Sequence, residues 1–469
     1  VELLGDLAAA GFAPKVISDV DISTFEAPLC QDADYCCVNA TAALCELLAE
    51  GFVAHVASSL ELSAVNEPLK QSSPDAIGNA AIVIGYLADS GETYGGDVAT
   101  QVDFDLLIQQ LGHKSSFVTE NVSSALGYLA ELDAECIARL IDAKDLEALL
   151  THGDAFVAAH GVALLNEIID AGHVDCIATS FDFETLSSPL TYPDPFPKGN
   201  AATTPGFLAE QDRGDLIVDD IDLSLLNDCL TDDAERVCGG AAGSLADLAE
   251  TGHAAAVIEA IDMRSLTKLI SRPEPYVCGN AVLAVGQLAK AGYAPHVDGT
   301  IATADLVSCL DRSDDDVVEH TTKAIATMAA YGNDEAVLDG GETLSRILTT
   351  SGQAATRGAM AALCYGLLQS PSVLIERSDE DLLGTLLDQA AQSDLAYQLT
   401  FDPEDRVLRT LLALSCFSVA TAEPTIVTNY APKLRPLVDV DSHVEQADQG
   451  RPTTLLVAAL TETPSQSVL

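Results

Sequence analysis

Apolar residues along this chain fall into a stripe that returns about every forty residues. NATAALCELLAEG at 39–51, NAAIVIGYLADSG at 79–91, GAAGSLADLAETG at 240–252 and NAVLAVGQLAKAG at 280–292 are variants of one segment. With Asn39 as the anchor, equivalent positions fall at Asn79, Asn121, His160, Asn200, Gly240, Asn280, His320 and Gly358. The intervals run from 38 to 42 residues, and looser copies sit at Arg409 and near Thr453. Apolar residues stand one, four, five and eight positions after the anchor, as in Ala40, Ala43, Leu44 and Leu47, or Ala281, Ala284, Val285 and Leu288. That spacing predicts a helix buried along one face.

Other positions keep the same beat. Twelve residues after the anchor comes Gly51, Gly91, Gly172, Gly252, Gly292 or Gly332, where a left-handed residue would end the helix. Ten residues before it stand Leu29, Leu69, Leu111, Leu150, Leu190, Leu230, Ile270, Leu310, Leu348 and Leu399, marking the buried end of a middle helix. Eight positions earlier an acid opens each of the first seven units: Asp21, Glu61, Asp103, Asp142, Asp182, Asp222 and Asp262. A carboxylate there accepts bonds from free amides and suits the helix dipole. Each unit therefore reads as three short helices.

A unit of this size cannot bury its stripe alone, so neighbours must stack. IDAKDLEALL (141–150) followed by VAAHGVALLNEIIDAG (157–172), and VTENVSSALGYLAEL (118–132), resemble the armadillo and HEAT repeats. The likeness covers nearly the whole chain. It implies an all-α, right-handed superhelical α-solenoid of about ten to eleven three-helix repeats, one continuous array over 1–469. Departures are expected at a partial first repeat (1–11), a Pro-rich irregularity (187–206), an extended repeat (371–405) and a frayed tail (461–469). Pro205 falls inside a third helix and should bend or shorten it. The opening LLGDLAAAGF aligns with LLAEGF, midway through a third helix, so a further helix is expected upstream.

Charge changes the picture next. Seventy-two acids against 22 basic residues give a net charge of −50, spread along the chain and not gathered in a tail. Self-repulsion of that size is tolerable when salt shortens the screening length to about 3 Å near 1 M. The composition resembles cytoplasmic proteins of extreme halophiles. The basic stripe that phosphate contacts require is missing, which argues against nucleic acid as a partner. No apolar run reaches the length of a membrane span, and the start has no basic segment of a signal peptide. A reducing cytoplasm fits the cysteines, which lack any CxxC pair.

The repeat supplies a control for candidate chemistry, since a residue type recurring at one repeat position serves the repeat. Cys37, Cys238 and Cys278 share one position, Cys229 and Cys309 another, and Cys45 and Cys364 a third, as small fillers of helix contacts would. Histidines recur likewise, as His173 with His253, His55 with His296, His113 with His152, and His160 with His320; only His443 stands apart. HEAT-repeat hydroxylases hold iron with several His–Glu pairs, and here Glu319–His320 is a single reversed pair. The acidic runs DRSDDDVVE (311–319) and DLIVDDIDLS (215–224) coincide with loops and helix starts, without the spacing of a calcium loop. No phosphate loop, nucleophile elbow, zinc-protease or dinucleotide motif occurs. No catalytic residue, metal site or cofactor is expected.

In armadillo-like stacks the third helices line the concave face. Positions three, seven and eleven after the anchor lie away from the buried stripe. The seventh-position series contains Glu46, Tyr86, Tyr128, Glu167, Phe207, Asp247, Gln287, Thr327 and Tyr365. The third-position series, Ala42, Ile82, Ser124, Ala163, Thr203, Gly243, Leu283, Lys323 and Ala361, is mostly small. Such a groove would accept another protein's extended segment carrying Arg or Lys. The Trp and Asn of peptide-carrying armadillo proteins are absent from these two series, so that binding mode is not carried over. The anchor residues Asn39, Asn79, Asn121, Asn200 and Asn280 are expected to tie their helix to the preceding loop, with the alternative that they also reach a ligand. A non-catalytic scaffold or adaptor that binds along the concave face is the leading expectation. Docking of a structural or regulatory subunit through the solenoid ends is the alternative, and a HEAT-like chromophore lyase, a family without a sharp motif, comes third.

Overall fold

The computed structural model describes residues 2–31, 34–377 and 382–391, together with Ser415. Among them every regular element is helical, and neighbouring helices pack on one another as in a helical repeat solenoid. The chain forms two compact units, Val1–Ser244 and Leu245–Leu469. The looser copies at Arg409 and Thr453, Leu399, His443 and the tail 461–469 lie outside the described residues, as does most of 371–405.

The anchors ride on long helices, numbered here in chain order. The first unit holds α1 (Asp34–Ala49), α2 (Pro74–Ala88), α3 (Ser116–Leu140), α4 (Ala155–Asp170) and α5 (Pro195–Glu210). The boundary falls inside α6 (Glu235–Leu248), and the second unit holds α7 (Pro275–Leu288), α8 (Asp315–Ala330) and α9 (Gln353–Gln369). Each of α1 to α4 packs against the next, α7 packs against α8, and α8 against α9. Shorter helices such as Ala143–Leu150 and Met263–Leu269 cover the other side of the stripe.

Local chemistry sets the ends of these elements. Asp21, Asp103, Asp142, Asp182, Asp222 and Asp262 each accept a backbone N–H two or three residues on, at 2.9–3.1 Å. Glu61, one methylene longer, makes no side-chain cap. The position is Gly340 in the repeat of α9, where no carboxylate is present to cap a second helix, and Glu335–Thr350 runs as one 16-residue helix. The glycines twelve after the anchor all have positive φ, from 70° at Gly91 to 104° at Gly252. Asp212, the corresponding residue after α5, adopts φ 56°. Asp212→Gly is therefore expected to raise stability by about 0.5–1 kcal/mol, read as a shift in thermal midpoint. In the third repeat the matching residue is Asp133, whose non-helical φ of −150° divides Ser116–Leu140 into two helices.

Leu29, Leu69, Leu111, Leu150, Leu190, Leu230, Ile270, Leu310 and Leu348 are all buried, alongside Ala40, Leu44, Leu47, Ala281, Val285 and Leu288 of the long helices.

Pro205 does not shorten α5, which keeps 16 residues with helical backbone throughout. Its accommodation comes from the next helix. The Ser244 hydroxyl accepts from Gly206 N–H at 2.9 Å and donates to the Ala202 carbonyl at 2.7 Å, standing between two groups that pair directly in an uninterrupted helix. Ser244→Ala is expected to cost about 1–3 kcal/mol, because two buried groups lose their partner. In a Pro205→Ala background the helix can close its own ladder, and the same change should cost less. Equal costs in the two backgrounds, by chemical denaturation, would exclude this account.

Candidate functional site

The accessible side of the long helices follows from the buried stripe. Residues four before the anchor, at the anchor, and three and seven after it share one helical face. In the first unit this face reads Asp75, Asn79, Ile82 and Tyr86 on α2, then Phe117, Asn121, Ser124 and Tyr128 on α3. It continues as Phe156, His160, Ala163 and Glu167 on α4, and as Phe196, Asn200, Thr203 and Phe207 on α5; all sixteen are exposed or half-buried.

The seventh-position residues are placed as follows. Glu46 is exposed, Tyr86 is 38% exposed, and Tyr128, Glu167 and Phe207 are half-buried; in the second unit Asp247, Gln287 and Tyr365 are half-buried. Tyr86, Tyr128 and Glu167 form one electrostatic neighbourhood. Burial, Asp89, Glu131 and Tyr86 push the Tyr128 hydroxyl up, and burial, Glu131 and Asp170 hold the Glu167 carboxyl above the usual carboxylate range. Tyr128 lies against Gly85, where a β-carbon would stand 3.7 Å from its ring. Outside the aromatic row runs a line of exposed acids ten after the anchor: Asp89, Glu131, Asp170 and Glu210. The small residues at the third position form the floor between.

Asn200, Asn121 and Asn39 make contacts other than the expected one to the preceding loop. Asn200 Nδ2 donates to the Ala159 carbonyl at 2.9 Å, and His320 Nδ1 meets the Gly279 carbonyl at 3.3 Å. Both reach the preceding long helix, one residue before its own anchor, and not the preceding loop; the backbone there comes within reach because neighbouring long helices lie side by side. Asn121 instead bonds back to the Phe117 carbonyl of its own helix, and Asn39 contacts the Tyr35 hydroxyl. Asn79 and Asn280 are half-buried at the same place. The eleventh position is also partly spent on the fold. Gln211 donates to the Asp170 carbonyl at 3.3 Å and Tyr331 to that of Lys290 at 3.1 Å, satisfying carbonyls at the end of the preceding long helix.

A second row was missed from the sequence, because an aromatic near a helix start looks like core. Four residues before the anchor stand Tyr35 (67% exposed), Phe117 (37%), Phe156 (55%), Phe196 and Tyr276. Phe196 packs edge-on against Phe156, ring centroids 6.1 Å apart, and against His160 at 5.7 Å. Arg236 takes the same position on α6, with its guanidinium 5.2 Å from the Phe196 ring centre and a bond of 3.1 Å to Asn200 Oδ1. The signal for this row was available in the glycines one before the anchor. A β-carbon on Gly78 would strike Phe117, and one on Gly199 would strike Arg236. These glycines make room for the side chain of the following helix.

No protein-family model and no curated protein matches the chain. Among solved structures, the crystal structure of an engineered protein is similar, at 19% identity and a TM-score of 0.69, covering 85% of this chain and 99% of that one. At that identity the likeness speaks for the helical fold alone.

Among the described residues no three His, Cys, Asp or Glu side chains stand together as metal ligands. Cys37, Cys229, Cys238, Cys278, Cys309 and Cys364 are buried, and burial pushes the Cys45 and Cys364 thiols up to about 12. Cys278 and Cys309 bring their sulfurs to 3.5 Å as free thiols. No helix among the described residues is long and apolar enough to cross a membrane.

Proposed function

We propose that the chain is a non-catalytic scaffold or adaptor that binds an extended segment of another protein along the accessible face of its long helices. The supporting observation is the row of Tyr86, Tyr128 and Glu167, bordered by Asp89, Glu131 and Asp170, on three consecutive helices. The rings offer flat apolar surface, and the carboxylates offer charge to Arg or Lys. In this reading the stack is an armadillo/HEAT-like, right-handed array of about ten to eleven units working in a high-salt cytoplasm. Apolar and bidentate contacts then carry affinity, because molar salt screens charge steering.

The test is affinity purification from the native cell in multimolar KCl, followed by mass spectrometry and by titration of the recovered partner. Tyr86→Ala, Tyr128→Ala and Tyr365→Ala are each expected to weaken that partner by about tenfold or more while the helical signal is kept. Unchanged affinity in all three would exclude this surface. Since the Glu167 carboxyl titrates above its usual range, a cation opposite it favours the ionised form. Affinity is therefore expected to rise with pH through that range and to level off above it.

A further inference from the structure

We propose that the ridge formed by Phe117, Phe156 and Phe196 at the starts of α3, α4 and α5 is a docking site for arginine side chains of a partner segment. This rests on the scaffold reading and names a second register on the same face, eleven residues before the tyrosine row.

The chain itself contains the contact. Arg236 lays its guanidinium over Phe196 and donates to the anchor amide of Asn200. That combination, a ring face for the cation's plane and an oxygen for its N–H groups, is how a guanidinium is held on an aromatic surface. One helix earlier the same place holds Phe156, a residue 55% exposed and followed by His160 where Phe196 has Asn200, and before it Phe117, 37% exposed and followed by Asn121. Carboxylates already stand at the starts of the helices that carry these rings. Asp154 and Asp194 are fixed two residues before Phe156 and Phe196 by accepting their backbone N–H groups, at 3.0 and 2.8 Å. A carboxylate used in this way at one oxygen keeps acceptor capacity at the other. Glu120, one before its anchor, is close enough to Asp154 for the two charges to oppose each other, and an arriving cation relieves that opposition.

The charge of the chain narrows the occupant. A second copy would bring another −50 to an acid-lined face, and 22 basic residues in 469 leave this protein little of its own to offer there. Lysine fits the carboxylates but not the ring plane, so the geometry selects arginine over lysine.

The probe is a fluorescein-labelled synthetic peptide with arginine at every third residue between glycine and serine, compared with lysine and citrulline versions. It is titrated against the full chain in 1 M KCl, where the screening length of about 3 Å suppresses general attraction to an acidic protein. The arginine peptide should bind about tenfold tighter than either control. Phe156→Leu, which keeps apolar volume at an exposed position, should bring it down to the lysine level with an unchanged circular dichroism spectrum. Arg236→Ala should tighten it severalfold, because it frees the Phe196 ring and the Asn200 oxygen; a purely structural arginine would not have that effect. Equal affinity for the three peptides overturns the proposal. Arginine preference that survives Phe156→Leu but is lost in Tyr86→Ala Tyr128→Ala also overturns it, and leaves the scaffold reading standing on the tyrosine row. A change from dimer to monomer in sedimentation on Phe156→Leu would assign the ridge to self-association instead.

Discussion

In 0.1 M KCl at neutral pH the chain is expected to lose its cooperative unfolding transition, and to regain it between 1 and 3 M. With 72 acids and 22 basic residues, most carboxylates have no cation to pair with. Several of the pairs that do form, such as Lys15–Asp19 at 2.6 Å and Arg346–Asp311 at 2.6 Å, join exposed side chains and add little to stability. Against them stand like-charge neighbours built into the repeat, such as Glu131 beside Glu167. Unit charges a few ångströms apart in water repel by about 1 kcal/mol at low ionic strength. About five to fifteen such contacts are needed to cancel a stability of about 5–15 kcal/mol. Raising the salt shortens the screening length from about 10 Å to about 3 Å and removes most of that repulsion. Differential scanning calorimetry across a KCl series measures the effect, with sucrose of equal osmolality as the non-ionic control. A transition of equal midpoint and enthalpy at 0.1 and 3 M would contradict the account, and recovery in sucrose alone would replace charge screening with surface exclusion.

Much of the local architecture was legible because the repeat prints each requirement several times. The leucines before the anchor are buried wherever they are described, and six of the seven acids eighteen before it cap a helix. The glycines after each long helix have the positive φ that their position predicts. The exceptions are legible only once the exception itself is understood. Two helices run together through Gly340, and Asp212 takes a left-handed conformation where its neighbours use glycine. Ser244 rescues the helix of Pro205 from 39 residues away, which no local rule contains.

The candidate face was legible in part. Periodicity placed the third and seventh positions on the accessible side, and they are there. It gave no account of what side chains on adjacent helices do to one another. The partner of Asn200 is the carbonyl of Ala159, 41 residues earlier, and depends on how far one long helix is offset from the next. The same offset turns Gln211 and Tyr331 toward the preceding helix end and away from a ligand. It also lifts Phe156 into solvent, although hydropathy counts that residue with the core.

Gly161→Ala is expected to destabilise the first unit, although the repeat recommends alanine at that position. Ala40, Ala80, Ala201, Ala241 and Ala281 all stand one after their anchors. In a helix interior, replacing glycine by alanine ordinarily gains about 1 kcal/mol. At Gly161, however, a β-carbon would lie 2.5 Å from Leu149 Cβ and 3.3 Å from the Leu149 carbonyl carbon. A β-carbon is tied to its backbone, so no rotamer change relieves the clash; helix Ala143–Leu150 must move away from α4. Overpacking of this kind costs about 1–3 kcal/mol, and more where backbone must shift. The propensity gain is smaller than the upper part of that range, and the net sign is a loss. Leu269 and Ala281 occupy the same two places in the second unit, so the alanine itself is compatible with the repeat, and the close approach at 161 is what decides. Gly127, in α3, is the control, since nothing lies within 4 Å of its β-position. Gly127→Ala should stabilise by about 0.5–1 kcal/mol. Thermal midpoints moving in opposite directions for the two variants would support this reading of the interface; two gains would show that α4 has room to give.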